Sequence, residues 1–282
     1  MIPLPYRAIL LSNQILRECI LVLRCTTLEF AKDLVNLGQI KFSTPKSWEQ
    51  YGKQGRGDIY EGTLAYSSKF YPSQYEKLIA KYSNTCTYEL PNRILIKNRR
   101  DMQLPCICFY GLKTDAFPPP QNEGRNRIST YIDAKYFRDF ADNASPAEIA
   151  ALPPKKQPAI AVIKDWAEFV RRLKAKLNSI GVPDECILVS PVQYFDFTPY
   201  STDDSWVDLN CTPPKELFVK SKQDFEYQNE LRIVIDTDDP TILDLLSNPI
   251  EIGNLSDIAA VAEGYHPEGI EVTATFNSYI IP

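Results

Sequence analysis

The chain is short of the residues that most often do chemistry. Histidine occurs once in 282 residues, at His266, inside the Pro- and Gly-containing stretch 263–269 where a surface turn is expected. A Ser–His or Cys–His nucleophilic pair would have to be built on that one imidazole, so this class of catalysis is set aside. Seven cysteines (Cys19, Cys25, Cys86, Cys106, Cys108, Cys186, Cys211) are odd in number, scatter through apolar runs and form no CxxC pair. That pattern argues against a zinc site of standard spacing and for free buried thiols in a reducing cytoplasm. No GxGxxG, Walker A loop or GxSxG sequence occurs, which removes the common nucleotide and hydrolase signatures. No run reaches the ~18 apolar residues of a membrane helix; the nearest, Ala8 to Leu23, is broken by Arg17 and Glu18. The first residues also lack the layout of a signal peptide. Positive charge is in deficit, with 31 Lys and Arg against 36 Asp and Glu and a net charge of -5. General binding to a nucleic-acid backbone, which needs a basic surface, is therefore not expected.

What is present is a folded composition: 44% apolar, 11% aromatic and 24% charged residues. The 22 prolines and 11 glycines suggest many short elements joined by stiff loops. Ile20 to Leu23 reads as a buried strand running into Arg24. Thr26-Thr27 reads as the start of a helix that ends at Gly38, and Ile40 to Ser43 as a short strand. Trp48 to Gly62 is polar and loop-like, and Phe117 to Pro120 a rigid turn. Leu104 to Tyr110, Ile128 to Ile132, Ala159 to Ile163, Leu231 to Ile235, Ile258 to Ala262 and Thr273 to Ile281 read as strands. Ile187 to Phe197 reads as a strand pair. Asp133 caps a short helix carrying Tyr136, Phe137 and Phe140, and Asp165 to Ile180 is an amphipathic helix. Its Arg171, Arg172, Lys174 and Lys176 form either a solvated face or a nucleic-acid patch. Lys215 to Lys222 reads as a further helix. The class expected is α+β, a short-stranded mixed sheet with peripheral helices, in a single domain 1–282 with a helical insertion at 142–185.

Three places hold polar residues that packing does not require. Arg24 ends a strand too apolar to welcome it, so it needs an internal carboxylate or a phosphate group. The loop Arg56 to Gly62 sets Asp58 and Glu61 about Tyr60, either as a capped turn or as part of a site. In Phe225 to Arg232, strand geometry would put Gln228, Glu230 and Arg232 on one face, as a cleft wall or an exposed sheet face. The acidic loop Ser201 to Leu209 has no assigned role.

The order of these segments resembles a bacterial family of uncharacterised proteins, domain of unknown function 2971, over roughly residues 20–270. The matching pieces are the strand with Arg24, Ile40-Lys-Phe-Ser43, the GDIYEG loop (Gly57 to Gly62), Lys220, Tyr227 to Arg232, and Ile258 to Gly264. The chain departs from the family at Gly57 and Ile59, where Asn and Pro are usual, and at Cys106 to Tyr110, where a Ser-containing motif stands. A second resemblance is to ADP-ribosyltransferases of the Arg-Ser-Glu type, whose outline is an Arg on the first strand and Gln-x-Glu at a late one. That resemblance implies an ADP-ribosyltransferase-like fold and NAD as substrate. Arg24 would grip the pyrophosphate, while Glu230 would hold the nicotinamide ribose and stabilise the charge that develops as nicotinamide leaves. It further implies that Gln228 orients a macromolecular acceptor and that Ser129 or Thr130 buttresses Glu230. Tyr60, Tyr110 or Tyr227 would stack on nicotinamide, with Asp58, Glu61 and Arg232 completing one pocket. The expectation is a cytoplasmic protein of the toxin or phage-defence type, without a metal. The alternatives are a non-enzymatic nucleotide- or protein-binding module and a Mg²⁺-dependent nucleic-acid-acting toxin using Asp58, Glu61 and Glu230.

Overall fold

The structure is a computed structural model describing residues 19–49, 57–113, 116, 127–197 and 206–275. The loop residues 50–56, the turn 117–120, most of 201–209 and the end of the last expected strand lie outside the described residues. β1 (Cys19–Thr27) passes through Arg24, and Thr27 caps α1 (Leu28–Leu37) by accepting from the Phe30 amide. Gly38 closes that helix at φ 64°, where any Cβ would run into the Gly253 carbonyl. The next elements are β2 (Gln39–Ile40), α2 (Pro45–Trp48), β3 (Thr63–Ser67), α3 (Pro72–Lys81), β4 (Thr85–Leu90) and β5 (Arg93–Asn98). β6 (Cys106–Lys113), β7 (Arg127–Ile132), α4 (Ala134–Phe140), α5 (Pro146–Ala150), β8 (Pro158–Ile163) and α6 (Trp166–Ser179) come next. After them are β9 (Ile187–Pro191), β10 (Gln193–Phe195), β11 (Val207–Asp208), β12 (Val219–Ser221), α7 (Lys222–Phe225) and β13 (Glu230–Ile235). The described chain closes with α8 (Pro240–Ser247), β14 (Ile250–Glu251), β15 (Ala259–Glu263) and β16 (Ile270–Thr275).

The main sheet has the order β15-β8-β1-β6-β13-β9 and is antiparallel at every pairing, which corrects the expected mixed sheet. Apart from Arg232, Leu231 to Ile235 is apolar because both faces of the sheet are covered, a pattern that parallel interior strands share. One face carries Val22, Ile107, Phe109, Leu231, Ile233 and Ile235 against α1, α6 and α8. On α6, Trp166, Phe169, Val170, Leu173 and Leu177 are buried. At about 1.5–3 kcal/mol for each fully buried large side chain, that stripe anchors the layer. The opposite face packs Leu23, Cys25, Tyr110 and Leu112 on Tyr136 and Phe137 of α4, and Cys106 and Val234 on Leu217 and Phe218. Glu230 and Arg232 share this second face, because they alternate with Leu231 and Ile233.

A second sheet, β11-β3-β5-β4, buries Leu64, Ala65 and Ile96 against Leu78 of α3, the following Tyr82 and Trp206. The span 142–185 contains β8, which is flanked by β1 and β15 in the main sheet. Residues 215–222 are a 3₁₀ turn followed by β12 rather than one helix. On α6, Arg171 is bonded to Glu168, and Arg172 to Glu168 and Asp257, so these two cations are paired with carboxylates.

The sheet contains an opening. β1 follows β6 from Cys19↔Lys113 to Leu23↔Tyr110, then stays with β8 while β6 stays with β13. The gap closes again at Ser43, which exchanges both backbone hydrogen bonds with Cys106 at 2.9 and 2.7 Å. Residues of β6 between these points therefore turn backbone groups into a wedge rather than onto a neighbouring strand.

Candidate active site

A cavity of about 580 Å³ opens at this wedge, lined among others by Arg24, Lys41, Trp48, Cys108, Phe140, Lys220, Gln228 and Glu230. Arg24 Nη1 donates to Cys108 O at 2.5 Å, satisfying a carbonyl that the parted strands would otherwise leave unpaired. The guanidinium lies 5.5 Å from the centre of the Phe109 ring. Among the described residues it meets no carboxylate, and burial pulls its pKa below the ordinary arginine value. Arginine keeps its proton at any working pH, so Arg24 brings uncompensated positive charge to the cavity wall.

Glu230 reaches the same cavity from the start of β13 and is 5% exposed. Its Oε2 accepts from Lys220 Nζ at 2.7 Å and its Oε1 from Arg232 Nε at 2.7 Å. Burial pushes this carboxyl up, but Arg232 and Lys220, helped by the Cys108 thiol, overcome it and hold it at about 2. Glu230 is thus an anion throughout the physiological range. Burial pulls the Lys220 ammonium down, and Glu230 and Glu61 more than reverse this, leaving it above its usual value. Arg232 is fully buried beneath Trp48, its charge facing Glu230, Glu61 Oε1 and the Leu217 carbonyl. Burial nevertheless drives the Glu61 carboxyl above the ordinary range, outweighing the pull of Arg232 and Lys220.

The expected row of Gln228, Glu230 and Arg232 on one strand is corrected in its geometry. Gln228 belongs to the 3₁₀ turn 226–228, and Asn229, left-handed at φ 39°, separates it from β13. The turn still delivers Gln228 to the cluster, where its Oε1 accepts from Lys220 Nζ at 2.9 Å. Far from an exposed wall, β13 is buried along its whole length.

Arg24, Gln228 and Glu230 are thus brought to one cavity, and Arg232 stands directly behind Glu230. The remaining expected residues have other placements. Asp58 is a buried turn former that accepts from the Ser221 amide at 2.7 Å and the Tyr60 amide at 2.8 Å; burial raises its pKa. Tyr60 stacks on Phe197 with centroids 4.4 Å apart, away from the cavity. Tyr110 packs on Tyr136 and accepts from Asn229 Nδ2 at 3.2 Å. Tyr227 donates to Asp139 Oδ2 and receives Gln228 Nε2 at 3.3 Å, with Lys135 over its ring. None of these three rings lines the cavity. Ser129 lies on the separate β7–β16 pair, bonded to Thr273 at 3.1 Å, and Thr130 donates to Ala116 O, so neither buttresses Glu230. Lys220, Arg232 and Tyr194, whose hydroxyl accepts from the Glu230 amide at 2.8 Å, take that place.

Sequence reasoning missed Lys41, Trp48, Cys108 and Phe140 as lining residues. Phe140 could have been found as the apolar residue left over once Tyr136 and Phe137 fill the buried face of α4. Cys108 is no nucleophile, because burial drives its thiol well above the ordinary range. Among the described residues no group of three or more His, Cys, Asp or Glu side chains is placed to hold a metal ion. The three acids expected to hold Mg²⁺ in the alternative reading have these partners: Asp58 holds backbone amides, and Glu61 and Glu230 face Arg232. No helix among the described residues is long and apolar enough to cross a membrane. Compared with family models, with curated proteins and with solved structures, the chain matches none.

Proposed function

We propose that the wedge cavity binds NAD and that the protein is an ADP-ribosyltransferase-like enzyme, transferring ADP-ribose to a macromolecule or to water. One observation carries this reading: a guanidinium that meets no carboxylate among the described residues and a carboxylate held in its ionised form line a single cavity. Arg24 offers its planar fork to the pyrophosphate. The Glu230 carboxylate stabilises the positive charge that grows on the ribose as its bond to nicotinamide breaks and nicotinamide leaves; the acceptor oxygen or nitrogen then attacks that carbon and gives its proton to solvent water. Gln228, fixed by Lys220 and Tyr227, orients the acceptor. Phe140, at the cavity margin, takes the stacking role first given to the tyrosines. The resemblance to the Arg-Ser-Glu enzymes supports the same assignment, with Lys220 and Arg232 replacing the serine as supports of the glutamate.

A second reading, a nucleotide-binding module without turnover, has its own observation: both Glu230 oxygens already accept strong hydrogen bonds. Release of nicotinamide from labelled NAD separates the two. Turnover by the wild type that falls about 10²–10³-fold in Glu230→Gln at matched folded concentration supports the enzyme. NAD that raises the melting temperature without any turnover, under every acceptor tried, supports the module. Arg24→Ala should lower NAD affinity first, by about 10–100-fold, the size of a lost charge-assisted contact.

A further inference from the structure

Beside the main cavity lies a smaller one of about 180 Å³, between the start of α1 and β2. Arg24, Lys41, Ser43 and Ile107 line both, so the two lobes meet at a neck carrying two cations. The small lobe adds Phe30 and Gln39 among its walls. Phe30 is 50% exposed although it is a large apolar ring at the first turn of a helix whose buried face is made by Ala31, Leu34 and Val35. Packing gives it no role. Among the described residues the Gln39 carboxamide has no hydrogen-bond partner, while its backbone is held by pairing with Glu251. A free aromatic face and an unspent carboxamide, next to a cationic neck, form a combination that recognises a purine nucleotide. The ring stacks on the base, Gln donates and accepts at the adenine N7 and amino edge, and the cations hold phosphate.

We propose that this second lobe is the seat of an adenine nucleotide arm, stacked on Phe30 and read by Gln39. The proposal rests on the NAD reading for its other half: the two phosphates lie at Arg24 and Lys41, and the nicotinamide ribose faces Glu230 in the larger lobe. It gives the ligand a fixed direction through the wedge and makes adenine, rather than guanine, the preferred base.

Calorimetric titration of the full chain with NAD, AMP, GMP and nicotinamide mononucleotide tests it, using wild type, Phe30→Ala, Phe30→Tyr and Gln39→Ala. Phe30 is exposed, so its replacement leaves folding intact. Phe30→Ala should weaken NAD and AMP about tenfold or more, the size of one lost stacking contact, and leave nicotinamide mononucleotide unchanged. Phe30→Tyr should restore wild-type affinity, and Gln39→Ala should narrow the preference for AMP over GMP. NAD binding with unchanged affinity in Phe30→Ala, or weakening of nicotinamide mononucleotide by the same factor, overturns the proposal while leaving the NAD reading standing. AMP binding that depends on Phe30, without any binding of nicotinamide mononucleotide or NAD, supports the adenine seat and removes the NAD reading. Failure of all four probes with wild type overturns both.

Discussion

Glu230→Gln removes one charge from a place where charge is hard to leave unbalanced. Lys220 and Arg232 both donate to this carboxylate, and all three side chains are almost inaccessible to water. Gln keeps the shape and one acceptor oxygen but leaves two buried cations facing Glu61, a group that burial already pushes toward its neutral form. Removing one member of a buried ion pair costs about 3–5 kcal/mol. For a chain of this size each kcal/mol moves the melting midpoint by roughly 2–4 °C, so a fall on the order of 10 °C is expected. The assay is thermal unfolding followed by circular dichroism, with and without NAD. Glu230→Gln combined with Lys220→Met, which takes away the orphaned ammonium, should recover a large part of the loss. A single-variant midpoint within about 2 °C of wild type, the scale of an ordinary surface change, would refute the view that Glu230 neutralises this cluster. The destabilisation also matches in size the barrier effect expected of a catalytic carboxylate, so turnover is to be compared only well below the variant's midpoint.

Burial lifts the Asp139 carboxyl to about 6, so its contribution to stability is complete below the ordinary carboxylate range and is lost as pH rises through 6. Asp139→Asn, which stays neutral, should therefore gain stability relative to wild type between pH 5 and pH 7.5; urea midpoints that keep a constant difference across that range would contradict this. Burial, aided by the adjacent Asp101, raises Glu216 well above its usual value, so the folded protein keeps that proton. The midpoint of Glu216→Gln should rise relative to wild type as pH increases from 5 to 9, and the opposite slope would show the acid to be ionised. Gly111→Ala would set a Cβ 2.7 Å from Leu231 Cγ in the interior of the sheet, an overpacking expected to cost about 1–3 kcal/mol. Adding Leu231→Ala should make the Gly111→Ala step less costly, as a double-mutant cycle in chemical denaturation would show.

The elements most legible in the sequence are those whose ends carry a chemical mark. Thr27 and Gly38 bracket α1, Asp133 and Asp165 cap the helices that follow them, and Leu231 to Ile235 is apolar enough to be only a buried strand. The second sheet was harder to read: β4 alternates only over a short span, β5 sets the continuous run Ile94 to Ile96 between Arg93 and Lys97, and part of the packing comes from Trp206, which is distant in sequence. In the site, Arg24 was legible because a cation in an apolar strand demands a partner. That its partner is a main-chain carbonyl follows from the divergence of β1 and β6, which is a property of the pairing and not of either strand. Tyr60, Tyr110 and Tyr227 were misplaced for a related reason: an aromatic near a polar motif has the same letters whether it lines a cleft or packs a core.

The parted strands also bear on how the protein avoids its neighbours. An unpaired strand edge at a surface is a template on which a foreign chain can add itself, and proteins blunt such edges with charge or twist. Here the open stretch of β6 lies within the sheet, roofed by residues 41–48 and plugged by Arg24. The open stretch is thereby covered on the side where another strand would add. The same arrangement gives Arg24 a structural duty beside its proposed one in binding: without its guanidinium the Cys108 carbonyl must find water or another partner.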